Sequence, residues 1–340
     1  MRALQLVADR TLELVDLPDP PAPGPGQVEI AVKAVGLNHL DLWGFRGMAF
    51  AKRKRPLVVG VEASGEIVRT GSGDGASRPG DRVVIYGAIT CNACPACRAG
   101  RDNLCEYPAG VMGFHIDGFG CERVVMEERL VVPVPAGVSL VDAACAPVAF
   151  STVEHMLFDN AKLEPGETIL VQAGGSGIGT VAIKMAKAIG CTVITTVGDD
   201  EKVEKAKALG ADHVVNYRTQ RFATITRKLT GKKGVDVVFE HVGAETWNDS
   251  LLCLRRGGRL VTCGSTSGVS VEMNLMQLFQ QQYRIIGSFG APISAVRRGL
   301  AKMAGGLTPV VDTVVPLADY ARGLERLESR RVFGKIIVTL

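Results

Sequence analysis

The rhythm of apolar and polar positions changes about halfway along the chain. Up to about residue 147 short stretches alternate between the two kinds, broken by Gly and Pro: Met1 to Val7, Val28 to Val35, Arg82 to Tyr86 and Glu122 to Val125. Alternation with period two buries one face of a strand, so this half predicts a β-rich domain. From about Glu167 apolar runs alternate with helical periods, which predicts a parallel sheet covered by helices. The expected strands are Thr168 to Ala173, Thr192 to Val197, His213 to Asn216, Val235 to Glu240, Arg259 to Cys263 and Arg284 to Phe289. Helices are expected between them, for example over Thr180 to Ile189 and Asp200 to Leu209. Six such strands complete a doubly wound α/β fold.

Beyond Gly290 a helical segment, Ser294 to Ala304, is followed by more helix and a closing strand, Lys335 to Thr339. No seventh strand-helix unit remains to extend the sheet, so this tail should pack back on the first domain. The expected division is 1–147, 148–290 and a return over 291–340. Short linkers predict that the domains meet across a cleft, where ligands commonly bind.

A length of 340 residues exceeds what one compact core usually supports, which agrees with two domains. A net charge of +4 gives no reason to invoke a nucleic-acid or membrane partner. The one dense basic run, Lys52-Arg53-Lys54-Arg55, reads first as a solvated loop. The N-terminus has no charged leader entering an apolar core, and no stretch is long enough to span a bilayer, so the expected address is cytoplasmic. Nine cysteines is an odd count and five are scattered, which favours reduced thiols over disulfides.

Two motifs carry chemistry. The strand ending at Ala173 runs through Gly174-Gly175-Ser176-Gly177-Ile178-Gly179 directly into a helix. Glycines there let a pyrophosphate approach backbone N–H groups, and the helix N-terminus adds a favourable dipole; within a six-strand alternation this predicts a dinucleotide site. Gly174, Ser176, Gly177, Ile178 and Gly179 are the expected contacts, with Val242, Gly264 and Phe289 near the ends of later strands. NAD sites usually place an acid at the tip of the second strand, but this one ends Thr196-Val197-Gly198, with Asp199 and Asp200 only afterwards. That pattern leans toward NADP(H) over NAD(H).

The second motif is Cys91-x2-Cys94-x2-Cys97-x7-Cys105, four thiols in one loop at about 88–108. Zinc accepts four such ligands tetrahedrally, and a closed shell leaves no position for substrate, so one structural zinc per chain is expected. Unliganded cysteines and an iron–sulfur cluster are the alternatives.

Together the β-rich first domain, the cysteine loop, the glycine turn and the closing Gly334-Lys335-Ile336-Ile337-Val338 strand resemble the medium-chain dehydrogenase/reductases, which include zinc alcohol dehydrogenases and quinone oxidoreductases. The resemblance implies a GroES-like β-barrel catalytic domain and a six-stranded Rossmann domain. It also implies that the catalytic zinc is absent: Asn38, Val61 and Val148 stand where the zinc enzymes have cysteine, histidine and cysteine, and Leu40 stands where they relay the alcohol proton. Asp41 and Glu62 match acids outside the metal's first shell, and His39 a position that often contacts the pyrophosphate. Against the quinone oxidoreductases, Gly198, Lys202, Tyr217 and Arg330 match the neighbourhood of the 2′-phosphate of NADPH, and Thr152 the position holding the nicotinamide carboxamide. Quinone oxidoreductases lack the cysteine lobe, so the chain combines features of both branches.

Without a Lewis acid the substrate must bring its own activation, as quinones and α,β-unsaturated carbonyl or enoyl compounds do. The leading expectation is an NADPH-dependent reductase of such acceptors, with Asn38 as first and His39 as second hydrogen-bond donor to the developing oxyanion, and Asp41 beside them. Two alternatives stay open. One is an alcohol or aldehyde dehydrogenase with a non-standard metal site built from His39, Asp41 and Glu62. The other is a non-catalytic nucleotide- or RNA-binding relative using the Lys52–Arg55 run. The expected partner is a small-molecule substrate, and a homodimer or homotetramer is the expected assembly.

Overall fold

A computed structural model describes residues 1–48, 53–72 and 75–340, and the chain divides into two compact units. One comprises Met1–Ser151 together with Pro292–Leu340, and the other Thr152–Ala291. The tail Pro292–Leu340 thus belongs to the first unit.

In the first unit the strand Gln27–Gly36 is central: Ala63–Thr70 and Arg123–Glu127 pair with it antiparallel, and so does the last strand, Lys335–Thr339. Its buried positions, among them Val28, Ile30, Val32 and Ala34, form the barrel core. Lys335–Thr339 also carries a parallel neighbour, Val311–Pro316, that the sequence pattern did not distinguish from helix. Residues Ala88–Ile89 and Gly110–Val111 pair as a short ribbon at the base of the cysteine loop.

The second unit is a parallel sheet of six strands, which taken in chain order lie 3-2-1-4-5-6 across the sheet. That is the doubly wound dinucleotide order, with its switch point between strands one and four. Thr192–Val197, His213–Asn216 and Val235–Glu240 coincide with expectation. The fifth strand starts earlier, at Leu254. The first strand, Thr168–Val171, is fully buried at its last three positions, and the helix Gly177–Ala188 leaves it across the glycine turn. Among the described residues no helix is long and apolar enough to cross a membrane.

Candidate functional site

In the first unit the last strand delivers Lys335 into the base of the helix His39–Arg46. Its ammonium donates to Leu37 O at 2.7 Å, Asn38 Oδ1 at 2.7 Å and Glu62 Oε1 at 2.5 Å. The Lys335 side chain is 3% exposed and that of Glu62 is 0% exposed, so each ion is stabilised by the other and by neutral hydrogen bonds rather than by water. Glu62 Oε1 also accepts from Asn38 Nδ2 at 3.0 Å, while Oε2 accepts from the backbone N–H of Val148 at 2.7 Å. Val148 lies in a π-helical turn, Ala146–Phe150. Gly36 makes room for the carboxylate, since a Cβ there would stand 2.5 Å from Glu62 Oε1.

Asn38 precedes that helix in extended conformation. Its amide orientation follows from its neighbours: an ammonium can only donate and a carboxylate can only accept, so Oδ1 faces Lys335 and Nδ2 faces Glu62. The second Nδ2 hydrogen goes to Gly36 O at 3.1 Å. Both amide hydrogens are therefore committed within the protein, which corrects the expectation that Asn38 donates to a substrate oxygen. Its side chain instead locks the entry to the helix. His39, the second candidate donor, is the half-buried first residue of that helix.

Asp41 accepts from the backbone N–H of Asn38 at 2.8 Å and from the Tyr320 hydroxyl at 3.0 Å. Burial raises its carboxyl to about 7, against the opposing effect of the Asn38 N–H, the Lys335 charge and the Tyr320 hydrogen bond. Glu62 and Asp41 thus spend their oxygens on protein donors. Val61, in the second ligand position, is buried and apolar. This donor set does not fit a metal: among the described residues the only cluster of three or more His, Cys, Asp or Glu side chains able to hold an ion is the cysteine lobe. The reading of His39, Asp41 and Glu62 as a non-standard metal site finds no support in this geometry.

The lobe does fit one. The sulfurs of Cys91, Cys94, Cys97 and Cys105 lie within 4.8 Å of one another, with Cys91 and Cys97 at 4.0 Å. Four thiolates around zinc at about 2.3 Å would stand about 3.8 Å apart, so little contraction is needed. Cys94 caps the short helix Pro95–Arg98, accepting from Cys97 N at 3.5 Å. The backbone N–H groups of Ala93 and Cys94 point at Cys91 Sγ and bring that thiol down to about 6, favouring the thiolate a metal requires. The lobe also reaches the returning tail, because Asp102 accepts from the backbone N–H of Ile293 at 3.1 Å.

In the second unit the glycine turn leaves the first strand at the switch point. Ser176 caps the helix through Gly179 N at 2.9 Å. Ala173, not a glycine, takes the left-handed φ of 47° at the turn. Gly174 and Gly179 are required by packing, since a Cβ on them would lie 2.2 Å from Thr195 Oγ1 and 2.3 Å from Ala173 O. Gly177 and Ile178 open the helix and are half-exposed.

At the end of the second strand both aspartates are engaged. Asp199 caps the helix Asp200–Ala208 by accepting from Lys202 N at 2.8 Å, and Asp200 accepts from Asn216 Nδ2 at 2.8 Å. Tyr217 leans over Gly198, where a Cβ would come 2.5 Å from its hydroxyl. Lys202 Nζ stands 3.6 Å from Asp199. Gly198, Lys202 and Tyr217 are thus brought together at one strand end.

The other expected contacts are dispersed. Thr152 sits half-exposed in the helix Ser151–Glu154. Val242 has its N–H on Glu240 Oε1 and its carbonyl on Ser267 N, and Gly264 packs against His241 O. Phe289 is exposed, and Arg330 follows the helix Tyr320–Glu328 with φ 58°. Lys52 lies outside the described residues. Arg53, Lys54 and Arg55 engage Gly44 O, Asp117 and Asp9 respectively.

Sequence reasoning missed Lys335, Tyr320, Glu240 and His241. For the last two a signal existed, an acid and a histidine closing an apolar strand; for the first two the partners lie too far along the chain to be seen.

Residues 24–136 match the alcohol dehydrogenase GroES-like domain, and residues 177–305 match the zinc-binding dehydrogenase family. A 2-haloacrylate reductase from Burkholderia sp is 33% identical over 260 residues, 75% of this chain and 70% of the relative. An acryloyl-coenzyme A reductase from Metallosphaera sedula is 32% identical over 94% of each chain. A solved structure of an NAD-dependent alcohol dehydrogenase is 39% identical, covers 100% of both chains and superimposes with a TM-score of 0.95.

Proposed function

This chain belongs to the medium-chain dehydrogenase/reductase superfamily of NAD(P)-dependent oxidoreductases, and from that premise we propose that it reduces conjugated acceptors with NADPH and without a catalytic zinc. The acceptor class is an α,β-unsaturated carbonyl or acyl compound first and a quinone second. The observation that carries the proposal is the state of the three ligand positions and the acids behind them. Asn38, Val61 and Val148 offer no ligand of the usual types, and the carboxylates of Glu62 and Asp41 are saturated by Lys335, Asn38, Val148 and Tyr320.

A simple carbonyl needs a cation to polarise it before hydride will add. Conjugation removes that need by spreading the developing charge. Bound NADPH supplies the hydride. The β-carbon would gain that hydride with its electron pair, the π pair of the double bond would move toward the carbonyl oxygen as an enolate, and a proton from solvent water would then add at the α-carbon. The chain's task is to hold the acceptor in line, exclude water and donate hydrogen bonds to the enolate oxygen. His39 is the residue we assign to that donation. The similarity to a 2-haloacrylate reductase and an acryloyl-coenzyme A reductase supports this acceptor class.

Purified protein with NADPH should reduce an enone, an acrylate or an enoyl thioester and should do little with ethanol. Chelators should leave the initial rate unchanged. Rapid oxidation of a primary alcohol that stops on metal removal and returns with added zinc would overturn the proposal and restore the alcohol dehydrogenase reading.

The choice of NADPH rests on the occupied aspartates and on Lys202 and Tyr217 beside Gly198. Lys202→Ala should weaken NADPH about 10–100-fold, the usual worth of a charge-assisted hydrogen bond to phosphate, and change NADH less than about threefold. Titration of both cofactors decides it; equal losses would mean that Lys202 does not read the 2′-phosphate.

A further inference from the structure

Beneath the glycine turn lies a buried polar network that the chemistry above does not use. Glu240 closes the fourth strand of the sheet, next to the first strand across the switch point, and is fully buried. Its Oε1 accepts from three successive backbone N–H groups, those of His241, Val242 and Gly243, at 2.9, 2.6 and 3.2 Å. Its Oε2 accepts from Thr246 Oγ1 at 2.9 Å and Ser250 Oγ at 2.8 Å. Five donors on one carboxylate compensate its desolvation and fix the backbone that carries the next side chain.

That side chain is the imidazole of His241, 7% exposed. Its Nε2 lies 3.0 Å from Gln172 O and 3.4 Å from Ser176 Oγ. A backbone carbonyl can only accept, so Nε2 carries the hydrogen and Nδ1 the lone pair. Burial lowers the pKa of the ring, against the raising effect of Glu240, which keeps it neutral. The single N–H therefore stands between Gln172, the residue that follows the first strand, and Ser176, the residue that caps the helix after the turn. Between them lies Ala173 with its left-handed φ, a conformation that costs a non-glycine residue free energy and persists only when its surroundings hold it. Its backbone N–H is held by Thr196 Oγ1 at 3.0 Å, and Thr196 in turn donates to Gln172 Oε1 at 2.7 Å.

We propose that His241 is a positioning residue for the dinucleotide: its Nε2–H, set by Glu240, spans Gln172 and Ser176 and so holds the glycine turn in the shape that receives the pyrophosphate. The proposal rests on the assignment of that turn to the cofactor, and not on which acceptor is reduced. An imidazole is suited to the task because its rigid ring presents one donor far from the backbone, where a serine would not reach and a lysine would bring a charge. The turn then meets its ligand already formed, and binding does not have to order it.

The test uses the full chain and three variants, His241→Leu, His241→Asn and His241→Gln. Leucine removes the donor, asparagine keeps an amide that is too short, and glutamine places an N–H near the position of the imidazole Nε2. The dissociation constants of NADPH and of ADP-ribose, which carries the pyrophosphate without nicotinamide or 2′-phosphate, are measured by calorimetry. Leucine and asparagine should weaken both ligands about tenfold, the value of one buried hydrogen bond, while glutamine stays within about threefold of the parent. Turnover at saturating cofactor should be preserved in all three, so that the loss appears in the KM for cofactor and not in kcat. Should leucine fail to fold, the asparagine and glutamine pair still decides. Unchanged binding in the asparagine variant, or equal loss with glutamine, would overturn the proposal. Failure of the parent protein to bind ADP-ribose would instead refute the assignment of the turn itself.

Discussion

Lys335→Met should cost about 3–5 kcal/mol of folding free energy, because it leaves the fully buried Glu62 carboxylate without its counter-ion. The measurement is equilibrium unfolding by urea of parent and variant. The carboxylate would retain only Asn38 Nδ2 and Val148 N, neutral donors that do not replace a cation. A second substitution separates lost charge from lost packing: Lys335→Met combined with Glu62→Gln should recover more than half of the loss, since the orphaned charge is then gone. The same double variant should remain a poor enzyme, because Asn38 would have lost the pair that fixes its amide. A single-variant cost below about 1 kcal/mol would show that water or a rearranged neighbour compensates Glu62, and the account of this cluster would fall.

Removing the metal from the cysteine lobe is expected to have an effect at least as large on stability and almost none on the chemical step. Elemental analysis should find one zinc per chain, and none in Cys94→Ser with Cys97→Ser. Zinc in isolated finger peptides contributes about 10–16 kcal/mol to folding, which is an upper bound for a lobe seated on a formed barrel. The loss should spread along one route. Asp102 within the lobe holds the backbone N–H of Ile293, the first residue of the helix Ile293–Ala304. Hydrogen exchange should therefore accelerate in the lobe and at the start of that helix, while Val28, Ile30 and Val32 in the barrel core keep their protection. Two zincs per chain, or exchange confined to residues 91–105, would contradict this picture.

The parallel sheet was legible because its strands are buried on both faces and stand out as apolar runs between helical periods; Val235–Glu240 and Thr192–Val197 needed no correction. The fifth strand was read short because Arg255-Arg256-Gly257-Gly258 has the composition of a turn, although Arg255 pairs with Asp236 on the neighbouring strand. Val311–Pro316 was hidden for a different reason: it is half-buried, so its pattern has neither a clean alternation nor a continuous apolar run. At the site, the family resemblance pointed to Asn38, Asp41 and Glu62, and the cysteine spacing to the four thiols of the lobe. What they could not supply was the partner list. Lys335 lies 273 residues from Glu62 and reads by itself as the polar start of a strand, and Tyr320 lies 279 residues from Asp41. With those partners out of view the sequence presents Asn38 as an open donor, whereas both of its amide hydrogens are used within the protein.

The second unit is inserted into the first, and this bears on how the protein is made. As the chain leaves the ribosome, Asn38, Asp41 and Glu62 emerge early, while Tyr320 and Lys335 emerge after the whole of Thr152–Ala291. The inserted unit has its own sheet and can close while synthesis continues, but the barrel lacks the strand that pairs with Gln27–Gly36 and the cation for Glu62 until Lys335–Thr339 emerges. For that interval the nascent barrel carries an unpaired acid and an open strand edge, a state that chaperones recognise and that aggregation exploits. Nonsense or frameshift changes that remove Lys335–Thr339 would then do more than shorten a tail: they would yield a protein with a finished nucleotide-binding unit and a barrel that never completes.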